Sequence, residues 1–190
     1  MNLAEKQIET INNVINSTKE NLKPLSINFI FWGIYVNILS GFHYAFPSLV
    51  QSSKYSAAIY WIILSIIGML FMAYYNVKVR KTVGYETHLS RALKIIWGVF
   101  NIGWIIIVVL SYFTREQSTG FILFLLSIIL IISGLLIRFK PLTTGGALVL
   151  ICSILVILDL GIHPLLLNSI AALSGLFMPG LYLYLNKTDA

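Results

Sequence analysis

Residues 120–137 read GFILFLLSIILIISGLLI and contain no charged side chain. A helix needs about 20 predominantly apolar residues to cross the hydrocarbon core of a bilayer. Arg138 and Lys140 follow the stretch directly, and a polar segment, 114–119, precedes it. The stretch therefore predicts a transmembrane helix whose ends lie at the two membrane surfaces.

The composition of the whole chain agrees with this interpretation. Of 190 residues, 58% are hydrophobic and only 11% are charged, whereas soluble domains are roughly 45–50% apolar and about 25% charged. These values exclude a soluble globular enzyme, a disordered tail and a nucleic-acid-binding domain. They indicate an integral membrane protein.

Five further apolar stretches resemble residues 120–137. The sequence predicts an all-α polytopic membrane protein whose six transmembrane helices occupy residues 25–46, 55–75, 92–113, 120–137, 142–158 and 165–185. Together with short loops, these spans form one bundle over residues 24–190. Residues 1–23 carry apolar side chains at three- and four-residue spacing, which predicts an N-terminal cytoplasmic amphipathic helix.

The basic residues are distributed unevenly between the two membrane sides. If the N-terminus is cytoplasmic, 11 of the 13 Lys and Arg residues face the cytoplasm, and only Lys54 and Arg115 face outward. This bias follows the positive-inside rule. It predicts a bacterial inner (plasma) membrane protein with both termini cytoplasmic. Anionic lipids at the cytoplasmic face are the expected partner of these charges, and no nucleic-acid partner is expected.

Few polar side chains fall inside the predicted spans. Asn37 and Asn101 each lie deep in a span, and an amide in hydrocarbon needs a hydrogen-bond partner, so we expect both to bond across helices. Gly33, Asn37 and Gly41 repeat every four residues. This stripe of small residues predicts close helix packing, either within the chain or at a seam between copies.

A second polar group falls toward the outer face. His43, Asp159, His163 and Asn168 could together bind a ligand that enters from outside. A His/Asp set can bind zinc, but Gly161 and Pro164 favour a turn, and interfacial polar residues account for the set without a metal. We therefore predict no metal and no cofactor.

Catalytic signatures are missing from the sequence. The chain has neither the His-Glu-x-x-His motif of metalloproteases nor the glycine-rich motifs that bind nucleotides. We therefore expect a protein without enzymatic activity and assign no catalytic residue.

Several short motifs carry a resemblance. Arg138-Phe139-Lys140-Pro141-Leu142 followed by Gly145-Gly146, together with Met178-Pro179-Gly180 and Phe31-Trp32-Gly33, resembles a family of small six-helix inner-membrane proteins from Bacteroidetes. The resemblance covers essentially the whole chain and implies its topology. That family has no known activity, so nothing follows about mechanism. In size and span number alone, the chain is also similar to the substrate-binding component of energy-coupling-factor vitamin transporters.

Two functions follow as hypotheses. The first is a non-enzymatic membrane protein that works through self-assembly or a membrane partner, using the N-terminal helix and the polar stretch 76–91. The alternative is a small-molecule transport or substrate-binding subunit whose ligand site lies at His43, Asp159, His163 and Asn168.

Overall fold

The computed structural model describes residues 23–53, 55–83, 88–114 and 118–185. All regular structure in these residues is helical, and six helices are long and apolar enough to cross a membrane. The predicted all-α, multi-pass membrane fold is therefore confirmed. Residues 1–22, which hold nearly all of the predicted amphipathic helix, lie outside the described residues.

The six membrane-crossing helices are called spans 1 to 6. Spans 1 to 5 are Lys23–Ala45, Ser56–Val83, His88–Thr114, Ser118–Leu136 and Lys140–Ile157. Span 6 runs from Pro164 to Leu185 and consists of an α-helix (Pro164–Ala172), a π-helical turn (Leu173–Phe177) and a second α-helix (Met178–Leu185). A short helix, Pro47–Val50, follows span 1.

Spans 1, 4, 5 and 6 begin and end within two residues of their predicted bounds. The prediction was wrong at the stretch 76–91, because span 2 continues as a helix to Val83 and span 3 already begins at His88. Neither Gly nor Pro interrupts the sequence between Asn76 and Gly84. A helix that leaves the hydrocarbon can therefore continue into water, where polar side chains are solvated.

The spans pack in the order 2–1–6–5–4–3. Spans 4 and 5 form a close hairpin, span 6 packs against spans 1 and 5, span 2 packs against span 1, and span 3 packs against span 4. The best-buried side chains come from spans 1, 4, 5 and 6 and include Phe29, Leu123, Leu130, Leu142 and Val149. Spans 2 and 3 are therefore peripheral helices on a four-span core.

Glycine allows the closest approaches inside this core. A Cβ atom built on Gly33 would lie 2.6 Å from the main-chain nitrogen of Phe177, and one on Gly134 would lie 2.6 Å from the main-chain nitrogen of Thr143. Neither position can accept a side chain unless the two helices separate. The first contact sets the distance between spans 1 and 6, and the second sets the distance between spans 4 and 5.

The π-helical turn of span 6 has a local cause. Pro179 has no main-chain N–H, and its ring disfavours the ordinary α-helical arrangement in the turn before it. The N–H of Met178 instead donates to the carbonyl of Leu173, five residues earlier. Pro179 therefore alters the helix in the turn that precedes it. This turn is also the part of span 6 that Gly33 contacts.

We predict that Gly33→Ala destabilises the protein by about 1–3 kcal/mol, because the added methyl group meets the main chain of span 6. Gly41→Ala is the matched control on the same stripe, since a Cβ atom there would meet nothing within 4 Å. It should leave stability unchanged or raise it slightly through better helix propensity. Unfolding in mixed detergent micelles measures both variants, and equal effects would contradict the assigned contact.

Candidate functional site

His43 is the most buried of the residues predicted to bind a ligand, with 7% of its surface exposed. The indole Nε1 of Trp61, on span 2, lies 3.1 Å from His43 Nδ1. An indole can only donate, so Nδ1 accepts and the neutral ring carries its hydrogen on Nε2. Gln51 Nε2 lies 3.1 Å from His43 Nε2. Two N–H groups cannot bond to each other, so a hydrogen bond here requires the Gln51 amide to be turned over, with its oxygen as the acceptor. Both ring nitrogens of His43 are therefore occupied.

Two further hydrogen bonds join span 1 to its neighbours at the same level. The Nδ2 amide of Asn168, on span 6, donates to the Oγ atom of the fully buried Ser40 at 2.8 Å. The Tyr60 hydroxyl, on span 2, donates to the main-chain carbonyl of Leu39 at 3.0 Å. We call Ser40, His43, Gln51, Tyr60, Trp61 and Asn168 the outer network. It ties span 1 to spans 2 and 6.

Asp159 and His163 have separate tasks in the turn between spans 5 and 6. Asp159 has a φ of 48°, and the next N–H, of Leu160, donates back to the carbonyl of Leu155 at 3.4 Å, as at a helix end closed by a left-handed residue. His163 caps the next helix, since its Nδ1 accepts the N–H of Leu165 at 3.3 Å. Both residues are exposed and both serve the chain reversal.

The ligand site predicted at these four residues therefore stays a prediction. His43 and Asn168 are bonded to other side chains, while Asp159 and His163 shape a turn. Among the described residues, no group of three or more His, Cys, Asp or Glu side chains could hold a metal ion. The sequence does not reveal that His43, His163 and Asn168 make hydrogen bonds within the chain.

A second polar contact lies at the opposite end of spans 1 and 2. Asn28 Nδ2 donates to Asn76 Oδ1 at 2.9 Å, and Asn76 Nδ2 donates to Asn28 Oδ1 at 3.1 Å. Between the two ends, the Tyr35 hydroxyl donates to the carbonyl of Leu64 at 2.7 Å. We call Asn28 and Asn76 the inner amide pair. This pair was not predicted from the sequence, because Asn76 lies outside the predicted span 55–75. Asn28 lies inside an apolar stretch, where an amide needs a hydrogen-bond partner, and this signal could have indicated the pair.

Among the described residues, neither Asn37 nor Asn101 makes the expected bond to another helix. Asn37 Nδ2 donates to the carbonyl of Gly33, one turn earlier in its own helix, at 2.8 Å. Asn101 is half-buried and makes no side-chain hydrogen bond with any residue that the structure describes. The small-residue stripe is also divided: Gly33 packs against Phe177 inside the chain, and Gly41 faces open space.

Within the described part of the chain, two buried side-chain atoms lack a hydrogen-bond partner: Trp97 Nε1 and Ser133 Oγ. The Trp97 ring packs against Phe29, with ring centroids 5.6 Å apart. Buried polar atoms of this kind are rare in native proteins and cost free energy. These two are exceptions to a bundle interior whose polar side chains are otherwise largely bonded.

Comparison with protein-family models, with curated proteins and with solved structures finds no match to this chain. The resemblance to the Bacteroidetes family therefore stays a prediction.

The bond between His43 and Trp61 can be tested by a double-mutant cycle. We predict that Trp61→Phe and His43→Ala each lower stability and that their coupling energy is about 0.6–1.7 kcal/mol, which spans the average to the largest value measured for interhelical hydrogen bonds in membranes. Unfolding in mixed micelles of the two single variants and the double variant gives this energy. Tyr74→Phe, at an exposed position of span 2, is the control. A coupling energy near zero would rule out the bond.

Proposed function

We propose that the protein has no enzymatic activity and acts by associating, within the bacterial inner membrane, with a second membrane protein through span 3. The observation that carries this proposal is the position of span 3. Span 4 is its only extensive helical neighbour among the described residues, and Ile95, Val99, Ile102 and Ile105 are exposed along it. A peripheral helix with so little packing inside its own chain is free to pack against another protein.

Span 2 is peripheral as well, but it is held differently. The outer network, the inner amide pair and the Tyr35–Leu64 bond fix it to span 1 along its length. In the described part of the chain, span 3 is held by its packing against span 4 and by the ring contact of Trp97 with Phe29 of span 1. We therefore place the association on span 3 rather than on span 2.

The sequence hypothesis placed association on the N-terminal helix and the polar stretch 76–91. Residues 1–22 lie outside the described residues, and most of the stretch is helix. A transport or substrate-binding role receives no comparable support, because His43 and Asn168 are already hydrogen-bonded inside the bundle.

For the orientation, we propose that both termini are cytoplasmic and that the basic end of the bundle binds anionic lipid. The start of span 3, the end of span 4 and the start of span 5 lie at the same membrane surface. Exposed basic side chains lie at these three ends: Arg91, Lys94, Arg138 and Lys140. Each such residue near an anionic surface contributes about 1 kcal/mol to membrane attraction.

Labelling of single cysteines tests this orientation. In a Cys152→Ala background, we expect a membrane-impermeant maleimide to label Ser52→Cys in intact spheroplasts and to label Lys140→Cys only after permeabilisation. Both positions are exposed. The reverse labelling pattern would place the termini outside.

The association is tested by placing a photoreactive amino acid at Ile105 of span 3 and, as a matched control, at Ile151 of span 5, whose exposures are 49% and 53%. After irradiation of intact membranes, we expect a discrete protein adduct from position 105 and none from position 151. Mass spectrometry identifies the adduct. Unlinked protein at both positions, or equal adducts from both, would overturn the proposal.

A further inference from the structure

Asn101 places a polar amide at the centre of span 3. It is the middle residue of the helix His88–Thr114, so it lies near the centre of the bilayer, where water cannot satisfy it. None of the described residues bonds to its side chain. An amide that stays unbonded in hydrocarbon is costly, which favours a bonding partner from outside this chain.

The helical periodicity shows which side of span 3 carries this amide. Gly103 packs against Leu125 of span 4. At 3.6 residues per turn, Gly98, Asn101 and Ile105 share one side of the helix and lie roughly 140–200° away from Gly103. This side, which we call the Asn101 face, therefore points away from span 4, and at Asn101 it borders the side on which Trp97 packs against Phe29 of span 1.

The Asn101 face has room for another helix. A Cβ atom built on Gly98 would meet no atom within 4 Å, and Ile105 is 49% exposed. A glycine next to a polar residue lets two helices approach closely enough for their side chains to bond.

We propose that a second copy of this chain docks on the Asn101 face, with the two Asn101 amides hydrogen-bonded to each other. An amide carries both a donor and an acceptor, so two related by a twofold axis satisfy each other. Copies inserted in the same orientation place Asn101 at the same depth. This inference rests on the proposed function, because it names the protein that associates with span 3.

The chain itself contains one reciprocal amide pair. The inner amide pair, Asn28 and Asn76, forms two hydrogen bonds of 2.9 and 3.1 Å between neighbouring spans that run antiparallel. Two Asn101 side chains would exchange the same donor and acceptor groups, but between two parallel copies of span 3.

Two charged side chains, Lys94 and Arg91, lie on this side of the helix, about one and two turns before Gly98. Both are exposed and close to the end of the span. Their long side chains can extend into the water at the membrane surface. Two copies can therefore meet at Asn101 without bringing these charged groups together.

The test measures dimerisation of the full-length protein in liposomes by energy transfer between labelled copies, over a range of protein-to-lipid ratios. We expect the wild type to dimerise and Asn101→Ala to dimerise about 3- to 20-fold more weakly, which corresponds to the loss of interhelical hydrogen bonds. Asn101→Gln keeps the amide and should restore most of the association. Asn37→Ala is the matched control, because that amide bonds within its own helix.

A second measurement does not depend on replacing Asn101. In the Cys152→Ala background, Ile105→Cys should form a disulfide-linked dimer on mild oxidation in membranes. Val99→Cys, exposed on another side of the same helix, should not.

Three results would overturn the inference: a monomeric wild type, undiminished dimerisation of Asn101→Ala, or disulfide formation as strong at position 99 as at position 105. The photoreactive residue at Ile105 separates this failure from that of the proposed function. An adduct with a different protein would contradict docking of a second copy but support association through span 3. A protein that stays unlinked would contradict both proposals.

Discussion

A hydrogen bond that cannot be made to water must be made within the protein, and this constraint governs the interior of the bundle. The outer network and the inner amide pair place the polar side chains of spans 1 and 2 against each other at both ends of the helix pair. Such bonds contribute on average about 0.6 kcal/mol each in membranes. Their larger effect is positional, because a shift of span 2 along span 1 would leave several polar groups without partners at once.

Two kinds of packing follow from the same lipid solvent. Lipid tails are as apolar as leucine, so helices associate through close contact and polar bonds rather than through the hydrophobic effect. Spans 1, 4, 5 and 6 use close contact at glycine, as Gly33 and Gly134 show. Spans 1 and 2 lie against each other through aromatic rings, such as the stacked pair Phe31 and Phe71, and through hydrogen bonds. The result is a compact core that carries two peripheral helices.

The fold could be predicted from the sequence more completely than the site, for physical reasons. Hydropathy reports the length of an apolar segment, so it locates the spans. The continuation of span 2 from Asn76 to Val83 is polar and leaves no hydropathy signal. The polar residues in the spans were also found. Their partners depend on how the helices are rotated, which one sequence does not determine: Asn37 bonds within its own helix, and His43 bonds to Trp61. That no described residue bonds to the Asn101 amide is evident only once the other bonds are assigned.

The most direct test of this account is the hydrogen position on the His43 ring in a lipid bilayer. Solid-state NMR of protein labelled with ¹⁵N in histidine resolves the two ring nitrogens, and a His43→Gln variant assigns the signal. The account predicts a neutral ring at pH 7 with its hydrogen on Nε2 and a bare Nδ1, because the Trp61 indole donates there. A hydrogen on Nδ1, or a fully protonated ring, would contradict the conclusion that polar side chains within the spans serve as internal ties.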